Sequence, residues 1–327
     1  MTITCKHYDL STHHTETIEQ SQLATYLKQE QTLLWIEMKL PSDGELDWLG
    51  QTFSLNPATV KLVQAKEGDP SFDWQDEYYV FTSTAVHLDE QHVIRDPVYI
   101  IFSQKYMITV EYQPIGFLDG VRRQWESNEA LEHARLYFIF LTIDSITDSY
   151  FEVIRILRSK INELRNTSAD PRRLHVPQKV QELTDYLNEL DRLIFFSIHS
   201  IYALLRKVEG HSLDPITASQ TDFLLLEKHY QRIDNQIRIE KEILANLLHL
   251  FQTRQTDYLS TLINRLTVVT VILSTAAVIT GIYGMNVGGL VPNIRNQNGA
   301  VFVLALVVLL AVMEFLLLRP LLRRHTS

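Results

Sequence analysis

Hydrophobic positions in the first third of the chain are grouped into short runs that polar segments separate. The runs are rich in β-branched and aromatic residues, and they cover residues 33–38, 77–86, 97–102 and 106–112. Runs of this kind predict β-strands. Helices are predicted between them, one after the capping candidate Ser42 and one after Asn56, where Pro57 takes the first helical position. The pattern therefore predicts a cytoplasmic α/β domain over residues 1–115.

From residue 116 onward, the hydrophobic positions follow the longer period of α-helices. Helices are predicted over 129–165 and 177–208, and residues 216–280 contain neither proline nor glycine. Read as one helix, this last stretch spans about 100 Å. A helix of that length has to pack against others, because alone it buries too little. Residues 116–265 are therefore predicted to form a helical hairpin and a long stalk helix.

Two long apolar stretches follow the stalk. Residues 266–294 carry no charged side chain, and their apolar core, 266–283, approaches the ~20 residues that a bilayer requires. A second apolar run begins close behind it, so the two predict a membrane hairpin. Its parts are a first transmembrane helix at 266–284, a short outer loop at 285–299, a second transmembrane helix at 300–318 and a basic cytoplasmic tail at 319–327.

The basic residues around the two stretches predict their orientation. Arg265 precedes the first stretch, Arg319, Arg323 and Arg324 follow the second, and the loop between them carries only Arg295. Because basic residues are retained on the cytoplasmic side, both ends of the chain are expected in the cytoplasm. The first ten residues are polar, and no signal segment is expected there. The sequence thus predicts a multi-pass protein of the cell (inner) membrane.

Charge and composition limit the possible functions. The net charge is −9, and the segment after Arg265 holds one acidic and four basic residues, so the acid excess lies before the membrane stretches. An acidic body disfavours nucleic acid as a partner and suits cations, although acidic surfaces are also common on soluble domains. The single Cys5 allows no internal disulfide. The chain has no glycine-rich phosphate loop and no hydrolase motif, so no enzyme activity and no bound cofactor are expected.

Small and polar residues recur every three or four positions along the first membrane stretch. They are Thr267, Thr270, Ser274, Ala277 and Gly281, and this spacing puts them on one helix face. We call this face the small-residue stripe. Such a stripe has two interpretations, a seam where helices pack closely and the lining of a pore. One hairpin cannot enclose a pore, so the second interpretation requires a symmetric ring of subunits.

The outer end of the first stretch carries a motif, Tyr283, Gly284, Met285 and Asn286, within "GIYGMN". Earlier segments, "LLWIEMKLPSDGELDWLGQTFSLNPATV", "YMITVEYQPIGFLDGVRRQ" and "LTIDSITDSYF", precede it in a fixed order. Over its whole length the chain resembles the CorA family of divalent-metal transporters, whose hallmark is Tyr-Gly-Met-Asn at this place. The resemblance implies transport of a divalent cation, Mg²⁺, Co²⁺ or Zn²⁺, across the cell membrane.

The resemblance also implies an assembly and a set of pore residues. It predicts a homopentamer with a funnel-shaped cytoplasmic part, surrounded by lipid in the membrane, in which the first span of each subunit lines the axis. Asn286 would ring the outer mouth, where neutral carboxamides accept hydrogen bonds from a hydrated ion without stripping its water. The expected pore-lining residues are Ser260, Ile263, Thr267, Thr270, Ser274, Ala277 and Gly281.

The chain also departs from the family pattern. Many Mg²⁺-transporting members carry an acidic loop after the motif, whereas the loop here, "VGGLVPNIRNQNG", has no acid and carries Arg295. This loop is more similar to the zinc-transporting ZntB-like branch, so Zn²⁺ transport, with or without proton coupling, is the alternative function. A membrane-tethered sensor or interaction protein is a third. Counted back without gaps from Tyr283, Thr275 stands in place of the family's mid-span proline.

Candidate metal ligands lie in the cytoplasmic part. Asp144 and Asp148 are four residues apart on a predicted helix that resembles the family's paired-aspartate helix, although a solvated helix face explains them equally well. The same ungapped count puts His249, Lys228 and Leu225 at stalk positions where Mg²⁺-gated members tend to carry aspartates. Imidazole suits Zn²⁺ better than Mg²⁺, so His249 is a candidate ligand, with a solvated or packed side chain as the alternative.

Overall fold

The first part of the chain forms a seven-stranded mixed β-sheet. The computed structural model describes residues 2–12, 14–89, 92–113, 116, 118–126, 135–167, 175–210, 217–284 and 297–323. The strands are β1 Thr2–Asp9, β2 His14–Ile18, β3 Thr32–Lys39, β4 Ser71–Trp74, β5 Tyr79–Leu88, β6 Val93–Phe102 and β7 Tyr106–Glu111. Strands β3, β5, β6 and β7 confirm the four predicted runs.

The strand order is β2-β1-β3-β7-β6-β5-β4, and all neighbours are antiparallel except β3 and β7. In this parallel pair Leu34 lies opposite Tyr106 and Lys39 opposite Glu111. Every residue of β7 is buried, and so is every residue of β3 except Lys39. A parallel pair buried on both faces is typical of a sheet that is covered on both sides. The sheet centre is therefore the core of the domain.

Short helices connect the strands, and local capping explains where they begin. They are α1 Leu23–Tyr26, α2 Asp43–Thr52 and α3 Pro57–Gln64. At the start of α2, the Ser42 N–H donates to Glu45 Oε2 at 2.8 Å, and the Ser42 hydroxyl accepts from the Glu45 N–H at 3.4 Å. This reciprocal capping box satisfies two backbone donors that a helix terminus leaves open. Asn56 caps α3 by accepting from the Ala58 N–H at 2.9 Å.

Helix α4, Leu118–Glu126, is anchored to the sheet by a buried ion cluster. The Nε of Arg122 donates to Glu37 Oε1 at 2.5 Å, and its Nη2 donates to Glu111 Oε1 at 2.9 Å. Glu37 and Glu111 come from β3 and β7 and are 4% and 1% exposed. Lys39 Nζ lies 3.8 Å from both carboxylates. Arg122 thus neutralises two acidic side chains that the sheet has removed from water.

Replacing Arg122 with methionine is expected to destabilise the domain by about 3–5 kcal/mol, because the change leaves two buried carboxylates without their main partner. Unfolding of the full-length protein in detergent is followed by tryptophan fluorescence. Trp35 and Trp125 report on the site, since both are buried and their rings lie 5.3 Å apart. The matched control is Arg123→Met on the same helix, where the side chain is exposed. An equal shift in both variants would contradict the role of Arg122.

The remaining helices are long, and they are α5 Arg135–Thr167, α6 Val176–Gly210, α7 Thr217–Gly284 and α8 Gln297–Arg323. Helix α7 runs without a break for 68 residues, which confirms the predicted long helix that continues into the first membrane stretch. The chain forms two compact units, one of Met1–Arg165 with Gln178–Ala245 and one of Asn166–Pro177 with Asn246–Ser327. The domain limits that the sequence predicts, at residues 115 and 265, stay predictions.

In the first unit, α7 buries one face at alternating steps of four and three residues. The buried positions are Leu226, Tyr230, Ile233, Ile237, Glu240 and Leu244. This heptad rhythm is the pattern of helices that pack along one another. The Arg158 Nε of α5 donates a hydrogen bond to the buried Glu240 at 2.5 Å, and Lys241 pairs with Asp191 of α6 at 2.6 Å. The long helix is thus held by both neighbouring helices.

Candidate functional site

The second unit contains the two apolar helices that the sequence predicts as membrane spans. Apolar stretches long enough to cross a bilayer lie within Leu224–Tyr283 of α7 and at Val301–Leu318 of α8, with mean hydropathies of 2.0 and 3.1. Almost none of their side chains is buried inside the chain. A core helix of a soluble protein would be buried on most sides, so these surfaces suit contact with lipid or with other spans.

The membrane part of α7 has two different faces. One face carries Val268, Ile272, Thr275 and Ile279, which are buried or half-buried. We call this face the seam, because Thr275 contacts α8 there: its hydroxyl donates to Glu314 Oε1 at 2.6 Å. The small-residue stripe is exposed at all its positions. At 100° per residue, the centres of stripe and seam are about 150° apart.

This arrangement bears on the two interpretations of the stripe. Helix α7 packs against α8 of the same chain through the seam, and not through the stripe. At Gly281, a Cβ atom would meet nothing within 4 Å, so close packing inside the chain does not require glycine there. Ser260 and Ile263 fall within about 60° of the stripe's centre on the same helix. The stripe is therefore open to another copy of the chain or to an axial path.

The hydroxyl groups of the stripe are partly satisfied within the helix. Thr267 donates to the Ile263 carbonyl at 2.9 Å, and Thr270 donates to the Leu266 carbonyl at 2.8 Å. Each threonine oxygen keeps acceptor capacity after donating its proton. A row of such oxygens can accept hydrogen bonds from water. The stripe thus combines small side chains with acceptors that suit a hydrated cation.

The motif lies at the end of α7. Tyr283 is half-buried, and Gly284 is the last helical residue. Met285 and Asn286 lie outside the described residues, as does most of the predicted outer loop. The structure thus supports only the helical end of the motif, and the role of Asn286 stays a prediction.

Two of the predicted metal ligands, Asp144 and Asp148, lie one helical turn apart on α5. Asp144 Oδ1 lies 2.7 Å from Nδ1 of His229, a partner that the sequence analysis missed. Burial raises the pKa of Asp148, the charge of Asp144 raises it further, and His229 opposes the increase. His249 is exposed on α7. Within the described ranges, no group of three His, Cys, Asp or Glu side chains could hold a metal ion, so ligand roles for these residues stay predictions.

Comparison with known proteins adds independent evidence. Residues 30–320 match the model of a family described as CorA-like Mg²⁺ transporter protein. The candidate metal ion transporter YfjQ of Bacillus subtilis (strain 168) is 22% identical over 314 residues, which are 95% of this chain and 93% of that protein. The cobalt/magnesium transport protein CorA of Methanocaldococcus jannaschii is 21% identical over 283 residues, 85% of this chain and 87% of that protein.

Solved structures show the same fold. The complete CorA magnesium transporter of Methanocaldococcus jannaschii superposes with a TM-score of 0.83 at 18% identity, over 98% of both chains. The cytoplasmic domain of ZntB from Vibrio parahaemolyticus RIMD 2210633 has a TM-score of 0.58 at 15% identity, over 78% of this chain and 99% of that domain. At these identities the likeness concerns the fold alone.

Fold, hairpin and family match together define a two-span membrane transporter of divalent metal ions. The chain belongs to the CorA-like Mg²⁺ transporter family. Membership confirms the predicted fold class, in which an α/β domain precedes long helices and two C-terminal apolar helices. It also confirms that the chain is a transport protein of a membrane and not an enzyme.

Proposed function

We propose that five copies of the chain form a channel-like pore for hydrated Mg²⁺ and Co²⁺, with the small-residue stripe of each copy facing the axis. The observation that carries the proposal is the orientation of α7, whose seam is occupied by α8 while its stripe is uncovered. One hairpin cannot surround an ion, so the uncovered stripe requires symmetric copies. Both chain ends would lie in the cytoplasm, as the positions of Arg265 and Arg319 favour.

The chemistry of the stripe fits a hydrated ion. Mg²⁺ gives up its water reluctantly and is therefore handled best by groups that contact its hydration shell. The stripe offers neutral oxygens from Thr267, Thr270 and Ser274, and its charge-free character avoids the tight binding that slows release. Asn286 would supply the corresponding ring at the outer mouth.

A second candidate function is Zn²⁺ transport. It is favoured by the acid-free loop, residues 287–299, which is more similar to the ZntB-like branch than to the acidic loops of many Mg²⁺ transporters. The side chains of the stripe favour Mg²⁺ instead, because oxygen groups suit Mg²⁺ while imidazole and thiolate groups suit Zn²⁺, and the stripe offers oxygens only.

The two candidates differ in a direct uptake experiment. The full-length protein is reconstituted into vesicles, and uptake of Mg²⁺, Co²⁺, Ni²⁺ and Zn²⁺ is measured with and without a pH gradient. We expect Mg²⁺ and Co²⁺ uptake that needs no gradient. Zn²⁺ uptake alone, driven by the gradient, would support the second candidate instead. Mass measurement in detergent accompanies the assay, and a monomer or dimer as the sole stable species would contradict the pore.

A further inference from the structure

One acidic side chain, Glu314, lies within the membrane hairpin. Neither 266–283 nor 300–318 carries any other charged residue. Acidic residues inside membrane spans are rare, because the charged form is costly in hydrocarbon, and they commonly mark ion or proton sites. Glu314 is half-buried on the face of α8 that also contains the buried Val303, and it meets Thr275 on the seam. Its carboxyl group is therefore located between the two spans.

The hydrogen bonds of this carboxyl group are incomplete. Thr275 donates to Oε1 at 2.6 Å, whereas Oε2 is buried and has no hydrogen-bond partner among the described residues. A carboxylate can accept several hydrogen bonds, and a threonine hydroxyl supplies one. A proton on the carboxyl group removes the charge and leaves fewer acceptor sites to satisfy. The geometry thus provides a place where binding of a proton relieves an unmet requirement.

Apart from Glu314, the titratable side chain of the two spans is Tyr283, which lies about two helical turns beyond Thr275 on α7. The neighbours of Thr275 one helical turn away are Val271, Ile272, Val278 and Ile279. Those of Glu314 are Leu310, Ala311, Leu317 and Leu318. A second copy of the chain would bring the same two spans, whose only acid is again Glu314. The charge of Glu314 is therefore balanced by no basic side chain within 266–283 or 300–318.

Thr275 also has an alternative partner at hand. Thr267, Thr270 and Thr280 donate their hydroxyl protons to backbone carbonyls of their own helix, three or four residues back. Thr275 instead reaches across to α8. If Glu314 becomes a weaker acceptor, the Thr275 hydroxyl can turn back to the Val271 carbonyl as its neighbours do. The contact between the spans then has two states, and the change occurs on the helix that carries the stripe.

From these observations we infer that Glu314 is a proton-binding site within the membrane hairpin, and that its proton controls the hydrogen bond to Thr275. Proton binding weakens this bond and loosens the seam. Because the seam and the stripe belong to the same helix, the transport rate then depends on pH. The site binds a proton and needs no metal.

Infrared difference spectroscopy of the full-length protein in vesicles tests the proton site without any transport. Spectra of the wild type and Glu314→Gln are recorded over a pH series. The carbonyl band of a protonated carboxyl group should be present in the wild type, titrate as one step, and be lost in the variant. Thr275→Val should keep this band and should instead shift the carboxylate bands of the deprotonated form, because that form has lost its hydrogen-bond donor. A carboxylate at every pH, or a band unaffected by Glu314→Gln, would overturn the site.

A separate uptake experiment tests the control of transport, and this part of the inference rests on the proposed function. Uptake is measured at equal pH on both sides of the membrane, so that a gradient plays no part. The uptake rate of the wild type should change in one step as the pH is varied. The uptake rate of Glu314→Gln should equal, at every pH, the rate that the wild type shows at low pH. Glu314→Asp should retain a step. An unchanged step in Glu314→Gln would overturn the control of transport, whereas the infrared result stands even where no metal is transported.

Discussion

Ser274→Leu should reduce uptake to the level of vesicles without protein. Ser274 lies midway along the membrane part of α7, on the exposed small-residue stripe. In the proposed ring, the change places several leucine side chains around the axis, where they fill the path and remove hydroxyl groups that contact the hydrated ion. The measurement is Mg²⁺ or Co²⁺ uptake into vesicles, with the mass of the assembly determined in detergent for each variant.

Thr280→Leu is the matched control for this prediction. Thr280 is also a small hydroxyl residue on α7 and is also exposed, but it lies about 100° from the stripe's centre. It should assemble and transport normally. Equal loss in both variants would mean that the position of Ser274 on the stripe is irrelevant, and that α7 tolerates no leucine on any open face.

The second large effect is expected for Asn286→Ala, which should abolish uptake while the assembly stays intact. The resemblance implies a ring of Asn286 carboxamides at the outer mouth, and alanine offers no acceptor to the water around the ion. Asn286→Asp separates acceptor chemistry from charge. It should bind divalent ions but release them slowly, because a carboxylate ring holds a cation more tightly than a carboxamide ring.

Asn293→Ala provides a comparison within the same predicted loop but outside the motif. Uptake through this variant should be normal. Normal uptake through Asn286→Ala would instead reduce Asn286 to an ordinary loop residue, and a loss in both variants would point to the loop as a whole.

The features that the sequence predicts well depend on strong local signals. The start of α2 at Ser42 follows from a capping box that neighbouring residues complete. The length of α7 follows from the absence of proline and glycine over 216–280. The spacing of the stripe predicts a single face because helix geometry is regular. In each case the decisive residues are close together in the sequence.

The features that the sequence analysis missed depend on distant partners. Strand β1 contains Lys6 and His7, whose polarity argues against a buried strand, yet both are buried. Lys6 pairs with Glu126 at 3.0 Å, 120 residues away, and its ammonium group lies 5.0 Å from the centre of the Trp35 ring. Burial of a charge is tolerated when a partner of opposite charge is supplied. No local pattern reveals such a partner.

In the candidate site, too, the features set by nearby residues are predictable from the sequence, and those set by distant partners are not. The spacing of small residues predicts the stripe, and Glu314 is the one acidic residue after Arg265, but the sequence does not show that Glu314 contacts the helix of the stripe. The bond between Thr275 and Glu314 joins residues 39 apart in sequence across two helices. Its existence depends on the register in which the helices meet, and two apolar surfaces allow many registers. The pairing of Asp144 with His229 depends likewise on how α5 and α7 pack.

The position of the sheet along the chain has a consequence for how the protein is made. All seven strands lie between Thr2 and Glu111, whereas the first membrane stretch begins near Leu266. At typical synthesis rates, the intervening ~150 residues take roughly 8 to 30 s to translate. The parallel pair of β3 and β7, which is slow to form because its strands are distant in sequence, can therefore close before any hydrophobic span leaves the ribosome. Insertion into the bilayer can then act on a chain whose sheet is already paired.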